Sequence, residues 1–328
     1  MPHATLEAAS RTSPPADLPA EEPLVRPARS RQEIEQAYRL VYSTYKEEGY
    51  LAEAPCGMRT TVYNAFPDTV TFVGKVGEEM VATATLFGDT EMGLPMDELY
   101  RREVDDLRGA GRKVVEVGMH ANVHTDVPGQ RPLFLRLMKQ IFDYARLILQ
   151  ADDICITSNP KHARFFERFL LFEPIGEEKA YDNVQGHPAV AQRFNLRTAR
   201  ERFSEVQRLW KLFFQSPTPV RLLARRYRMR AEDLEYFFVR KTSVFRHAEP
   251  SQIQVLRQMY PECPWKRWER SWNGGLHALA ERLLSIPRVI GTALSYLMSL
   301  ARLDLLSLSG DPLAASGEGG SHGEPGPF

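Results

Sequence analysis

The stretch that most constrains this chain runs from Asn159 to Gly176. Asn159 can cap a helix with its side-chain oxygen, and Pro160 takes the first helical position, where its missing N–H costs nothing. The run that follows reads as a helix leading straight into a short strand, Phe172–Gly176. Upstream, Lys113–Gly118 is a strand pattern, residues 131–149 carry a broad apolar helical face, and Asp153–Thr157 is a short apolar strand. Strands and helices therefore alternate through the middle of the chain.

The flanking segments extend that pattern. Ser30-Arg31-Gln32-Glu33 has capping-box spacing ahead of Ile34, Tyr38, Val41, Tyr42 and Tyr45, and Gly49 closes this first helix. Residues 69–76 and 80–87 are β-rich around Gly77-Glu78-Glu79, the pattern of a hairpin. Gly93-Leu94-Pro95 is a turn, and Asp97 starts a helix closed by Gly109-Ala110-Gly111. Residues 172–176 and 189–196 read as the last strands. The predicted fold class is α/β (α+β): a mixed sheet flanked by helices, with an α-helical C-terminal extension over 198–214, 220–226, 231–241 and 276–307.

The predicted organisation has four parts. Residues 1–29 and 310–328 hold few large apolar groups and many Pro, Gly or Ser, which predicts disordered tails. Residues 30–196 form the α/β domain and 197–309 the helical extension. The net charge of zero conceals a split. Residues 1–195 carry 22 Lys/Arg against 29 Asp/Glu, while 196–310 carry 20 against 10. A basic extension suits an acidic protein partner or an anionic lipid surface, and equally a solvated face. The apolar region Leu283–Leu308 is interrupted by Pro287, Arg288 and Arg302, so its uncharged run is too short to span a bilayer. It reads as a packed or interfacial helix. Cys56, Cys155 and Cys263 lack metal spacing, and their odd number argues for a reducing compartment. The expected location is cytoplasmic, with peripheral contact at the inner membrane as a second option.

Glu116 interrupts the apolar run Val114, Val115, Val117, where an ionised side chain needs a partner or a task. It is the candidate general base; the competing reading is a solvent-facing strand residue. Gly118 permits a β-bulge, whose freed amide could face a developing oxyanion, or is a plain packing glycine. His120 is a second base candidate. With His124 it has metal-like spacing, but on a strand-to-loop segment, so no metal is expected. Tyr42, Tyr45 and Tyr50 close the first helix as a core stripe or a substrate wall. Phe72, Leu86, Phe87 and Leu94 could line an apolar tunnel. Arg131, at a helix N-terminus, could meet a phosphate.

The ordered set Val41-Tyr42, Tyr45, Gly49-Tyr50-Leu51, Gly93-Leu94-Pro95-Met96-Asp97, Leu107-Arg108, Gly111-Arg112, Glu116-Val117, Asn159-Pro160, His162 and Phe172-Glu173, Ile175-Gly176 resembles long-chain N-acyl amino acid synthases of the FeeM type. These are GNAT-superfamily enzymes related to acyl-homoserine-lactone synthases. The resemblance covers residues 30–196. It implies an N-acyltransferase that moves a long-chain acyl group from an acyl carrier protein, or from acyl-CoA, to the amine of an amino acid. No cofactor is expected to bind tightly; the acyl thioester is a co-substrate. By the resemblance Glu116 falls on the strand glutamate proposed as base.

Departures from the pattern accompany it. Gly118-Met119 stands where the homoserine-lactone synthases carry Ser-Arg. Phe166 stands where many GNAT enzymes place a proton-donating tyrosine, and Leu171 replaces a usual glycine. Pro128–Leu133 keeps one glycine of the coenzyme A pyrophosphate loop, which favours a carrier-protein donor. The alternative function is an acyl-ligand sensor with a basic interaction module. Residues 220–234 have a faint helix-turn-helix outline, but Leu234, Phe237 and Phe238 look like core, so nucleic acid is not an expected partner.

Overall fold

A computed structural model of the chain describes residues 24–122, 130–216 and 218–272, with side chains from Leu133 onward in the second segment. Residues through Glu269 form one compact unit; the rest belong to a second, of which only 270–272 are described. Both predicted tails, apart from residues 24–29, and the predicted helix over 276–307 lie outside the described residues.

Eight strands form the sheet: β1 (Leu24–Pro27), β2 (Val70–Val76), β3 (Glu79–Gly88), β4 (Val114–Asn122), β5 (Asp153–Ser158), β6 (Glu173–Pro174), β7 (Lys179–Tyr181) and β8 (His187–Asn195). Their order is β1-β2-β3-β4-β5-β8-β6, with β7 also on β8. Among the described residues only β4 and β5 pair in parallel; the other pairs are antiparallel. Four helices belong to this sheet: α1 (Arg31–Glu47), α2 (Asp97–Gly109), α3 (Gln130–Leu147) and α4 (Pro160–Leu170). Contacts place α1 against β2–β4 and α2 against β4, while α3 packs on β1–β3 and α4 on β8.

The predicted boundary at residue 29 is corrected. Leu24–Pro27 is an edge strand paired with β2, and Glu33 explains why it is held. The Ser30 hydroxyl accepts the Glu33 N–H at 3.2 Å, half of the expected capping box. The Glu33 carboxylate does not reach back to Ser30. It accepts the Arg29 N–H at 2.8 Å and the Arg26 guanidinium at 2.6 and 2.9 Å, tying β1 to the start of α1. In α4, the Asn159 oxygen accepts the Lys161 N–H at 3.1 Å and Pro160 opens the helix, as expected. Leu171 ends it in the left-handed region at φ 61°, the conformation that would favour glycine.

Beyond the sheet the helices are shorter than the sequence pattern suggests. They are α5 (Ala199–Ser204), α6 (Gln207–Trp210, continuing as a π-turn over Lys211–Gln215), α7 (Val220–Leu223), α8 (Ala231–Leu234, continuing over Glu235–Lys241), α9 (Val244–His247) and α10 (Pro250–Met259). Phe203, Phe213 and Leu223 enter the same core as α3 and the sheet. Leu234, Phe237 and Phe238 are wholly buried. Among the described residues no helix is long and apolar enough to cross a membrane.

Candidate active site

Strand parity decides which side chains can reach a substrate. Paired residues on antiparallel strands project to the same face. Leu86 pairs with Val117, and Val70 with Leu86, so this face points to α3. Phe87 pairs with Glu116, and Thr85 with Gly118, so these project to the opposite face, toward α1 and α2.

The parallel pairing of β4 and β5 runs from Val114↔Asp153 to Val117↔Ile156 and then stops. From there each strand stays with its antiparallel neighbour, β4 with β3 and β5 with β8. The two strands part into a wedge, and a cleft of about 400 Å³ opens there. Its volume is within the ordinary range for small-molecule sites. Gly118, Met119, His120 and Asn122 line one side; Thr157, Ser158 and Asn159 line the other. Phe134, Phe165 and Phe166 supply an apolar wall, and Phe87, Tyr45 and Tyr181 face the Glu116 side.

A bulge falls in this wedge. Thr85 pairs with Gly118 and Thr83 with Ala121, so Met119 and His120 oppose Ala84 alone. Met119 takes φ 48°, a conformation costly for a side chain with a Cβ. The bulge expected at Gly118 is thus centred just after it. A Cβ on Gly118 would lie 3.2 Å from the Phe87 ring and 3.9 Å from Glu116 Oε1, so the glycine keeps space open at the carboxyl group.

Glu116 is 4% exposed, which removes the solvent-facing reading. Its Oε2 accepts the Met96 N–H at 2.7 Å. Burial pushes its pKa up to about 8, against the lowering effect of that hydrogen bond. The Gly93–Asp97 segment presents this amide. Gly93 is at φ 75°, and a Cβ there would fall 2.0 Å from Asp97 Oδ2. Asp97 Oδ2 accepts the Leu94 N–H at 3.1 Å and the Arg108 guanidinium at 2.8 Å, and Arg108 also pairs with Asp89. Arg112 pairs with fully buried Asp153 at the closed end of the β4–β5 pair.

His120 also lines the cleft. Burial, then the nearby charge of His162, lowers its pKa to about 4, so the ring is neutral near pH 7. Among the described residues, its Nδ1, Thr157 Oγ1 and Ser158 Oγ are buried without a hydrogen-bond partner. Tyr45 and Tyr50 line the cleft with rings edge-to-face at 5.7 Å, and Tyr50 meets His187 at 4.9 Å. Burial pushes the Tyr45 hydroxyl up to about 12.

Four expectations need correction. Tyr42 does not line the cleft; its hydroxyl accepts the Ala54 N–H at 2.8 Å and fixes the loop after α1. Phe72 and Leu86 are wholly buried on the α3 face, with Phe72 edge-to-face against Tyr144 at 5.7 Å. Leu94 is fully buried and is likewise not part of the cleft lining. The side chain of Arg131, and residues His124 and Pro128–Gly129, lie outside the described residues. Among the described residues no three His, Cys, Asp or Glu side chains gather to hold a metal.

Sequence reasoning missed Arg59, Thr157, Ser158, Phe165, Tyr181, Asn183 and His187. Tyr181 and Asn183 belong to β7 and the turn after it, where three-residue elements leave no periodic signal. The wedge brings Thr157 and Ser158 in only because β4 and β5 part there.

This mixed sheet, with one parallel pair splayed beside a buried carboxyl group, is the GNAT-like arrangement expected from the sequence. The family profile of the N-acyl amino acid synthase FeeM matches residues 36–195. FeeM itself, an N-acyl amino acid synthase from uncultured soil microbes, is 31% identical over 55% of this chain and 94% of its own, with a TM-score of 0.48. The chain belongs to the FeeM N-acyl amino acid synthase family. The acyl-homoserine-lactone synthase BjaI, described as CoA-dependent, is 17% identical over 65% of this chain and 96% of its own, with a TM-score of 0.44. The acyl-homoserine-lactone synthase LasI is 13% identical over 55% and 94%, with a TM-score of 0.41. No curated protein matches the chain.

Proposed function

We propose that this acyltransferase moves a long-chain acyl group from an acyl carrier protein thioester to the amine of an amino acid. The observation that carries the reading is Glu116: a buried carboxyl group, oriented by the Met96 amide, at the open end of the β4–β5 pair. An amino acid amine is protonated near neutral pH and must lose a proton to attack. A carboxylate whose pKa is about 8 is matched to that task, because it ionises in the working range yet remains basic. A cationic amine arriving beside it further favours the ionised form.

Glu116 takes one proton from the ammonium group, directly or through water. The amine nitrogen attacks the thioester carbon, the C–N bond forms and the C–S bond breaks. The nitrogen passes its second proton to the departing sulfur or to water, so the sulfur leaves as thiol in the first case and as thiolate in the second. A thiol with a pKa near 8.5 is a competent leaving group without a dedicated acid, which fits the presence of Phe166 where a tyrosine might have stood. The bulged backbone at Met119–His120 is the proposed oxyanion contact, since a bulge leaves a residue unpaired in the ladder. Phe134, Phe165 and Phe166 would receive the acyl chain.

The carrier-protein donor is supported by the sequence at Pro128–Leu133, which retains one glycine of a pyrophosphate loop. Exposed Arg225, Arg228 and Arg230 offer a basic surface for an acidic carrier protein. Arg226 is half-buried and donates to the Thr69 carbonyl at 3.5 Å, so it belongs to the packing instead.

Purified protein supplied with matched acyl-carrier-protein and acyl-CoA donors, and a panel of amino acids, tests the reading by mass spectrometry of the products. N-acyl amino acids formed faster from the carrier protein are expected. Faster turnover from acyl-CoA would reject the donor assignment, and acylation of other amines in preference to amino acids would reject the acceptor. Replacing Arg225, Arg228 and Arg230 with Glu should weaken carrier-protein affinity at low salt.

A further inference from the structure

Arg59 is a cation at the cleft wall, with the Glu98 carboxyl near enough to feel its charge. It lies in the loop between α1 and β2, where its backbone N–H donates to the Tyr38 carbonyl at 3.1 Å. Its neighbours Met58 and Thr60 are buried, so the loop is anchored on both sides. The guanidinium faces the same cleft as Glu116, and its Nη2 donates to the Asn183 carbonyl at 3.3 Å. That leaves most of its five donors for another group. Among the described residues no acidic side chain forms an ion pair with it, whereas Glu48 at the rim is paired with Lys161.

Tyr45 and Tyr181 locate this charge relative to the base. Both phenols are raised mainly by burial, both are raised further by Glu116, and both are lowered by Arg59. All four side chains line the one cleft, so base and cation share it with the two phenols. An amino acid carries its carboxylate on the carbon next to the amine. With the amine at Glu116, that carboxylate remains inside a cleft walled largely by aromatic rings, where an unpaired anion is costly. A guanidinium fork is the side chain best shaped to receive it.

We propose that Arg59 recognises the acceptor's α-carboxylate and makes the cleft selective for amines that carry one. The proposal rests on the acyl-transfer reading above. It makes Arg59 a specificity-determining residue, with no part in bond making.

The test compares kcat/KM for an amino acid and for the corresponding amino acid amide, in wild type and in Arg59→Gln, with one acyl donor. The amide keeps the amine and side chain and removes only the negative charge. Wild type is expected to prefer the acid, and Arg59→Gln to lose roughly 10- to 100-fold on the acid, the worth of a charge-assisted hydrogen bond. The amide should change little, so the preference collapses mainly through KM. The ratio within each protein controls for partial misfolding. If wild type prefers the acid and Arg59→Gln keeps that preference, the Arg59 assignment is overturned while the amino acid reading stands. If wild type shows no preference for the acid, both are overturned.

Discussion

Neighbouring residues of β4 lead opposite lives. Val115 and Val117 are 1% and 0% exposed and pack beneath α3 with Phe72 and Leu86. Glu116 and Gly118, on the other face, carry a carboxyl group and an empty Cβ position into an open wedge. One face is filled with apolar volume and satisfies itself. The other holds a strained Met119, a carboxyl group pushed to about pKa 8, and polar atoms on His120, Thr157 and Ser158 with no partner among the described residues. Burial alone does not separate the two, since Glu116 is nearly as hidden as Val115. What separates them is whether the buried groups are complete without a substrate.

The largest effect should come from forcing the closed face to resemble the open one. Val117→Asp would bury a carboxylate with no prepared donor and should cost roughly 4 kcal/mol or more, read as loss of the urea unfolding midpoint. Leu86→Ala should cost about 2–5 kcal/mol by leaving a cavity under α3. Phe165→Ala, half-buried on the wall proposed to receive the acyl chain, should instead raise KM for the acyl donor, and the two variants together separate stability from activity.

Glu116→Gln sharpens the comparison through pH. Burial raises Glu116 from an ordinary 4.5 to about 8 in the folded chain. Between those values the folded state holds a proton that the unfolded state releases, so wild type loses stability as pH rises from about 4.5 to 8. Glutamine does not titrate. The variant should match wild type near pH 4.5 and exceed it by a few kcal/mol above pH 8, in melts taken across pH. The smallest effect on stability is expected from Gly118→Ala, within about 1 kcal/mol, because the new methyl meets only the edge of one ring. Its kcat/KM should nevertheless fall, since that methyl sits beside the carboxyl group.

Much of the architecture was legible because it rests on local rules. The α1 and α4 caps, the β2–β3 hairpin, the Gly49 stop and the apolar β4 and β5 runs all carry their signals within a few residues. β1 was missed because its partners are distant: β2 in the ladder and Glu33 through Arg26. β7 was missed because three residues cannot show a period. At the site, Glu116 announced itself as a charge inside an apolar strand. Phe72 and Leu86 misled because an apolar residue looks alike whether it lines a tunnel or fills a core, and only register assigns the face. Arg59 has no local signal at all, since an arginine in a loop is ordinary until the fold sets it opposite a buried acid.

The measurement closest to the central claim is kcat/KM for acyl transfer in wild type and Glu116→Gln as a function of pH. The acceptor amine's own titration is common to both proteins and cancels in their ratio. The ratio should rise with pH to a plateau with an apparent pKa of about 8, and the variant should be slower by about 10²- to 10⁴-fold on that plateau. A variant within a few-fold of wild type, with a ratio that stays flat across pH, would contradict Glu116 as the base.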